Sequence, residues 1–574
     1  SFAPLWERFT APRFRRVIED AGALLGIPDH LSVHPGGVVI SPGRMHEIAP
    51  TQAAEKGIRT IQFDLDQVER LGLVKMDLLG TRGLSVLGDV ANKMRIANYS
   101  PSKIAFLETI PNEDEAVSEL IRTGRTVGCF GIESPGMQHT LREIQASTPD
   151  DLMVALSLYR PGPMTGGLKD AFVNRHLGKE PVEHLHPALS RLLAETYGVI
   201  LYQEQVLRIA HELAGFTLAE ADLLRRAMSH FDPGERMKTL RDRFVEGADH
   251  LSGVPAETAA RIWEMMAAFA GYGFPKAHAA SYAQVAWRSA YCKVHHPAEF
   301  LAAVLANWGG YYRQDVYLLE ARRMGLKVRG PHVNHSEIQF SAVDLEGSPV
   351  LFMGLDQVRE LTRGTQQRIL RERPFTSFGD FFARVAPRPK EAEHLVRVNA
   401  LEGLGAIPVL LKQIGSNGRR MGQMELFQPL EEEGDAADWT LEEKAAAQQE
   451  LLGIAVIAHP LELVQEQFSR LNVMPVREAK QQIGRTVHIG GLRQSWRKQK
   501  GSRISPTSGA VFHTVLDDLT DGMHILVSET VYNSHREILS RHDPLVVEGK
   551  VHRDRQVGEP VLIVHRLILM DTAR

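Results

Sequence analysis

Cysteine is nearly absent: two residues, Cys129 and Cys292, in a chain of 574. A pair allows neither a disulfide framework nor a cysteine-based zinc site, and it fits a reducing cytoplasm. No run approaches the ~18 uninterrupted apolar residues of a membrane span, so no membrane partner is expected. An excess of one charge is also missing. Lys+Arg 66 against Asp+Glu 70 leaves a formal charge of -4, so a nucleic-acid partner would have to be met by local basic patches. The opening "SFAPLWERFTAPRFRRVIEDAG" has no apolar signal core and no cleavage site, and with Ser1 in first place it reads as a truncation, not a targeting peptide.

What is present is globular and long. Hydrophobic residues make up 43% and charged residues 24%, and at about 150 residues per domain the length implies roughly four domains. Residues 28–80 mix β-branched runs with turns ("GGVVIS", "TIQFDLD", "LGLVKMDLLG"), as strands do. From 82 to about 330 the period is helical: Val206, Ile209, Ala210 and Leu213 repeat at i, i+3, i+4, i+7, and Ile262, Met266 and Phe269 follow the same pattern. Thr217 and Glu220 form a capping box that starts a helix through "LAEADLLRRAMS". Between 340 and 406, short helix-turn segments punctuated by Gly354, Gly364, Gly403 and Gly405 suit helix-hairpin-helix units. An acidic stretch around Glu431–Glu433, Asp435 and Asp438 marks a linker. From 484, five alternating stretches ("TVHIGGLR", "AVFHTVLDD", "MHILVSE", "PLVVEGKV", "EPVLIVHRL") suggest a small Greek-key barrel of the OB type.

Several groups could carry chemistry. Asp64 and Asp66 alternate on "FDLD" and would share a strand face, which suits a divalent metal; the plainer reading is a helix or turn cap beside Gln67. Asp77 and Lys75 stand among Leu73, Val74, Leu78 and Leu79. On a buried strand such a pair is costly unless it binds something, with a structural ion pair as the alternative. Arg225 and Arg226 are about 100° apart on their helix and cannot both face solvent squarely if Leu223, Leu224 and Met228 are core. They suit phosphate oxygens, or are solvated surface arginines. "GYGFPKAHAASYA" sets Tyr272, Phe274, Lys276 and His278 before a helix, where they could stack on a base and contact phosphate or pack as core aromatics.

The segments "SVHPGGVVISP", "LGLVKMDLLGTRGLSVL", "GCFGIESPGM", "SLYRPGPMTGG", "YGVILYQEQV", "ADLLRRAMS", "AGYGFPKAHAASYA" and "HHPAEFLAAVLAN", in this order, resemble the bacterial C-family DNA polymerases, the DNA polymerase III alpha subunits, from about residue 15 to the end. The resemblance implies an α+β multidomain chain with these expected parts: 1–82, the C-terminal part of a palm; 83–338, mostly α-helical fingers; 339–410, a tandem helix-hairpin-helix region; 411–440, a linker; 441–483, a helical connector; 484–574, a C-terminal β-barrel (OB-fold). It implies template-directed attack of a primer 3′-hydroxyl on a dNTP, with Mg2+ held in a two-metal site. Asp77 matches the third metal-binding aspartate, Lys75 a triphosphate-contacting lysine, and Arg225 and Arg226 the fingers arginines; Tyr272 and His278 match residues near the incoming nucleotide.

The sequence also departs from the family. The other two metal-binding aspartates belong to a Pro-Asp-Phe-Asp-x-Asp-Phe stretch upstream of the His-Pro-Gly-Gly segment, and this sequence starts after that point, so Asp64 and Asp66 are not their equivalents and the fragment alone is expected to be inactive. Gly131 stands where the family usually has Gln, Ser229-His230 where a lysine-rich stretch often follows, and "MGLDQVRELTRG" lacks the Gly-hydrophobic-Gly hairpin. In "GQMELFQP", Gln423, Met424, Leu426 and Phe427 resemble the pentapeptide that grips the sliding clamp. The "HPGG", "GFPKAHAAS" and "VNHS" wording leans toward the error-prone, repair-associated members; the pentapeptide pulls the other way. Arg493, Arg497, Lys498, Lys500 and Arg503, with Trp496 among them, suit single-stranded template at the barrel, the plainer reading being a solvated basic loop. A non-catalytic DNA-binding or replisome scaffold is the rival reading. Primer–template DNA and dNTP complete the expected partners.

Overall fold

β-branched runs and turns in the first eighty residues yield short strands and one capped helical turn. In a computed structural model the described residues are 12–27, 33–54, 57–96, 103–159, 168–229, 235–270, 274–417, 437–493, 497–499, 511–536, 539, 544–553 and 560–568. They divide into two units, Ser1–Thr81 and Arg82–Arg574. In the first, β1 (Gly37–Ile40), β2 (Thr51–Ala53), β3 (Arg59–Ile61) and β4 (Val74–Asp77) form two antiparallel ribbons, β1 with β4 and β2 with β3. Asp64 caps the helix Leu65–Arg70: its Oδ1 accepts the Gln67 N–H at 3.0 Å while Gln67 Oε1 accepts the Asp64 N–H at 3.1 Å. The plain reading of this aspartate is the right one.

The second unit is largely helical. One core gathers the faces of helices Arg82–Ile96, Pro149–Leu158, Lys276–His295 and Pro297–Ala306 and runs on into the segments between residues 333 and 456. A second core, with Phe216, Leu224, Phe244 and Ile262 fully buried, is built by the Leu218–Ser229, Glu235–Ser252 and Ala256–Ala270 helices. The capping box at the first of these is present: Thr217 Oγ1 accepts the Glu220 N–H at 3.3 Å and Glu220 Oε2 accepts the Thr217 N–H at 2.9 Å. β5 (Lys327–Arg329), β6 (Ser341–Leu345) and β7 (Ser348–Phe352) make a three-stranded sheet in the order β5-β7-β6. A helix-hairpin-helix follows, Pro389–Arg397 and Ile407–Asn417, joined across Gly403-Leu404-Gly405. Both glycines have positive φ, +83° and +144°, and a Cβ on Gly405 would stand 2.9 Å from the Leu410 side chain.

The C-terminal strands are β8 (Thr486–Arg493), β9 (Arg497–Gln499), β10 (Val511–Asp517), β11 (Gly522–Ser528), β12 (Leu545–Arg553) and β13 (Pro560–Ile568). Five of them close into a barrel in the cyclic order β8-β10-β11-β13-β12, every pairing antiparallel except β11 with β13; β9 adds to the start of β10. That is the expected OB-like barrel, with Ile489, Leu516, Ile525, Val547 and Leu562 inside. An ion pair between Arg323, at the end of helix Gln314–Arg323, and the buried Asp517 ties it to the helical body. Among the described residues no helix is long and apolar enough to cross a membrane.

Candidate functional site

The His-Pro-Gly-Gly and Val-Lys-Met-Asp segments meet as one ribbon. β1 and β4 pair with Gly37 opposite Asp77 and Val39 opposite Lys75, so Lys75 and Asp77 share a face. The glycines allow close approach there, Gly36 of the Leu78 backbone and Gly37 of the His34 and Lys75 side chains. A Cβ on Gly36 would lie 2.5 Å from the Leu78 carbonyl oxygen, and one on Gly37 would lie 3.0 Å from His34 Nδ1 and 3.1 Å from Lys75 Cε. Lys75 Nζ is 2.6 Å from Asp77 Oδ1, and His34 Nδ1 is 3.8 Å from the same oxygen. The Lys75 hydrogen bond holds the Asp77 carboxyl below its ordinary value, against a weaker opposing effect of desolvation.

Burial does not force this pair together, contrary to the sequence expectation. Val74, Met76, Leu78 and Leu79 are exposed, and the Asp77 side chain is 46% exposed. An apolar pattern shows which residues can be covered, not whether anything covers them. Asp77 offers one ionised carboxylate. Asp64 is occupied as a cap, and among the described residues no three His, Cys, Asp or Glu side chains converge to hold a metal. These residues do not by themselves fit a two-metal centre.

In the second unit Arg225 and Arg226 share one partner. Arg225 donates to Asp222 Oδ1 from Nε at 3.1 Å and Nη2 at 3.0 Å; Arg226 Nε donates to Asp222 Oδ2 at 2.8 Å. Asp222 is thereby held below the usual carboxylate range, Arg225 being the larger cause. Leu224 and Met228 are core, but Leu223 is 51% exposed, which corrects the assumption that all three are buried. The arginines accordingly take different positions, Arg225 half-buried and Arg226 exposed.

The helix carrying Arg225 packs on Gln203–Arg208, and the residue before that helix, Tyr202, bridges to Phe274. Glu204 accepts the Lys276 N–H through both oxygens, at 3.0 and 2.9 Å, and Lys276 Nζ lies 2.5 Å from Glu195 Oε2. Exposed His278 sits between Phe274 and Tyr282, ring centroids 5.3 and 4.2 Å away. Tyr272 lies outside the described residues, as do Gln423, Met424, Leu426, Phe427, Trp496, Lys500 and Arg503. Arg497 and Lys498 lie on β9, described as backbone only. Arg493 departs from a solvated basic loop: on β8 the residue is only 9% exposed, and burial pushes its pKa down.

Sequence reasoning passed over two buried polar networks that set this scaffold. Lys293, 1% exposed, donates to the Arg125 and Val127 carbonyls at 2.8 Å each and to Glu320 at 2.6 Å. Glu133 accepts from the Gly128 N–H, the Tyr311 N–H and the Tyr317 hydroxyl at 2.8, 2.7 and 3.0 Å, and burial raises its pKa. A lysine inside the apolar run "SAYCKVH" was the one available signal.

Comparison with known proteins bears out the resemblance. Residues 84–252 match the bacterial DNA polymerase III alpha subunit finger domain, residues 7–80 the bacterial DNA polymerase III alpha NTPase domain, and residues 325–407 a helix-hairpin-helix motif. Over nearly all of its length the chain is similar to bacterial DNA polymerase III alpha subunits. The family's DNA polymerase III subunit alpha of Thermus aquaticus is 38% identical over 78% of this chain and 38% of its own length; that of Pseudomonas fluorescens is 32% identical over 97% and 51%. An error-prone DNA polymerase of Corynebacterium efficiens is 32% identical over 95% and 50%. The chain thus spans about half the length of the curated family members it matches.

Proposed function

We propose that this chain is the nucleotide- and DNA-binding portion of a bacterial DNA polymerase that joins a dNTP to a primer 3′-hydroxyl, in replication or damage-associated synthesis. The observation that carries this reading is the Lys75–Asp77 pair, with Lys75 lying over Gly37 and the Asp77 side chain 46% exposed, in a chain similar to this family. Lys75 and the fingers arginines Arg225 and Arg226 bind the triphosphate; His278, with Tyr272, flanks the nucleotide. Polymerases of this kind generally use divalent metal ions such as Mg2+; Asp77 contributes one carboxylate and the other ligands come from outside the sequence described. The Gly403-Leu404-Gly405 hairpin binds backbone phosphates of primer–template DNA, the barrel takes single-stranded template, and Gln423, Met424, Leu426 and Phe427 grip a sliding clamp. The protein works in the cytoplasm.

The second reading, a non-catalytic DNA-binding scaffold, is favoured by the single carboxylate if the chain acts alone. Asp77→Asn, placed in a polymerase that carries this segment together with the upstream aspartates, separates the two. Incorporation should vanish while primer–template affinity stays nearly unchanged. Undiminished incorporation, or loss of DNA binding, would overturn the catalytic assignment.

A further inference from the structure

Two turns of the tandem hairpin region lead into a helix, and they treat anions differently. The first, residues 358–362, joins Leu355–Gln357 to the Arg363–Glu372 helix within "MGLDQVRELTRG"; the second is Gly403-Leu404-Gly405, ahead of Ile407–Asn417. The unsatisfied N–H groups at the start of such a helix suit a phosphate. At the first turn that place is taken by a carboxylate of the chain itself. Glu391, on the Pro389–Arg397 helix and 2% exposed, accepts through Oε1 the Thr362 N–H at 2.9 Å, the Thr362 hydroxyl at 2.6 Å and the Thr365 hydroxyl at 3.0 Å. Its Oε2 accepts the Arg388 N–H at 2.9 Å. Against the cost of burial, these hydrogen bonds hold the carboxyl below the usual range.

The tip of the same turn is an independent observation. Glu360-Leu361-Thr362 stands where the second turn has Gly403-Leu404-Gly405, and Glu360 holds a φ of +61°, a left-handed position that favours glycine. Its exposed carboxylate, 2.7 Å from Lys390, repels a phosphate approaching the tip. The second turn is open. Nothing lies within 4 Å of where a Cβ on Gly403 would stand, and the Gly405 and Ala406 N–H groups have no hydrogen-bond partner among the described residues. Glu402, just before it, faces Arg329 at 3.7 Å. The Ile407 N–H donates at 2.9 Å to Asp438, whose other oxygen meets Lys444 at 2.5 Å; this carboxylate is exposed, so a phosphate can displace it, as it cannot displace buried Glu391. We propose that the chain grips duplex DNA through its second hairpin alone, Glu391 having taken the place of a DNA phosphate at the first.

The test is duplex binding by the whole chain, read as the fluorescence anisotropy of a short fluorescein-labelled DNA duplex. Arg363→Glu with Gln367→Glu, exposed changes that make the first hairpin's helix more acidic, should leave the affinity within about twofold. Ala406→Asp gives the second helix a carboxylate cap. It should weaken binding about tenfold and reduce the salt slope by about 1 while thermal stability holds or rises, a combination that misfolding cannot imitate. Glu391→Ala should empty the first seat, so that inorganic phosphate raises its Tm by several degrees more than that of the unchanged chain or of Glu391→Gln. Loss of affinity in the first variant, or no added phosphate effect on Glu391→Ala, would overturn the proposal; the first variant decides it even where Glu391→Ala does not fold. The proposal rests on the second hairpin being a phosphate site. Unchanged binding by Ala406→Asp would overturn that reading and this proposal with it, whereas the other two failures leave the reading standing.

Discussion

Asp77 Oδ1 and Lys75 Nζ stand 2.6 Å apart on a strand face where Gly37, lacking a Cβ, leaves room for the Lys75 side chain. The lysine holds the carboxyl below its usual value, so removing it has a signed consequence. In Lys75→Met the Asp77 pKa should rise toward the ordinary aspartate value of about 3.9, as read from carboxyl chemical shifts in a pH titration. Because the folded-state pKa is depressed, whatever the pair adds to stability is present above the unfolded value and lost as pH falls through the folded one. An unshifted Asp77 would assign its low pKa to other causes.

Arg225 and Arg226 are held by one carboxylate, Asp222, which a triphosphate would compete with. Replacing either arginine with Ala in an active polymerase should raise the dNTP KM or lower kcat by a factor corresponding to about 2 kcal/mol. An unchanged steady-state profile in both variants would remove them from the nucleotide site.

These two pairs show how far the sequence could be read. Asp64 was legible as a cap because its partner, Gln67, is three residues away and the geometry is local. The barrel was legible because alternation repeats in each strand. The exposure of Val74 and Met76 was not, since an apolar side chain looks the same whether covered or bare. Nor was the Lys293 network, whose partners lie 27 to 168 residues away and meet only through tertiary packing. Arg493 looked like one more member of a basic loop until the strand carried its side chain into a buried position.

Lys293→Met should be among the most destabilising single changes in the helical body. It strands two carbonyls and leaves the buried Glu320, among the described residues, with the more distant Arg323 at 3.8 Å. A loss of about 3 kcal/mol is expected in urea unfolding, and Glu320→Leu added to the same chain should recover part of it. A loss under about 1 kcal/mol would mean that water replaces the ammonium.

The barrel's proposed hold on single strands has a salt signature. Oligonucleotide affinity should fall steeply with ionic strength, since each phosphate contact releases a counter-ion. Charge reversal at Arg497, Lys498 and Lys500 should flatten the slope, and Trp496→Ala should weaken binding at constant slope. Substitution of Arg493 should act on thermal stability instead, because its side chain is buried. Salt-independent binding would leave the barrel as a protein-docking module.

The parallel seam between β11 and β13 sets the order in which this barrel can be made. β8, β10 and β11 can zip up as antiparallel neighbours as they leave the ribosome, but β13, the last of the five to be synthesised, must slide between β11 and β12. Until then both carry a bare hydrogen-bonding edge beside core residues such as Ile525 and Val547. Translation that stops short of Pro560 would therefore leave an open, sticky sheet, and closure is a late, long-range event in the biogenesis of the chain.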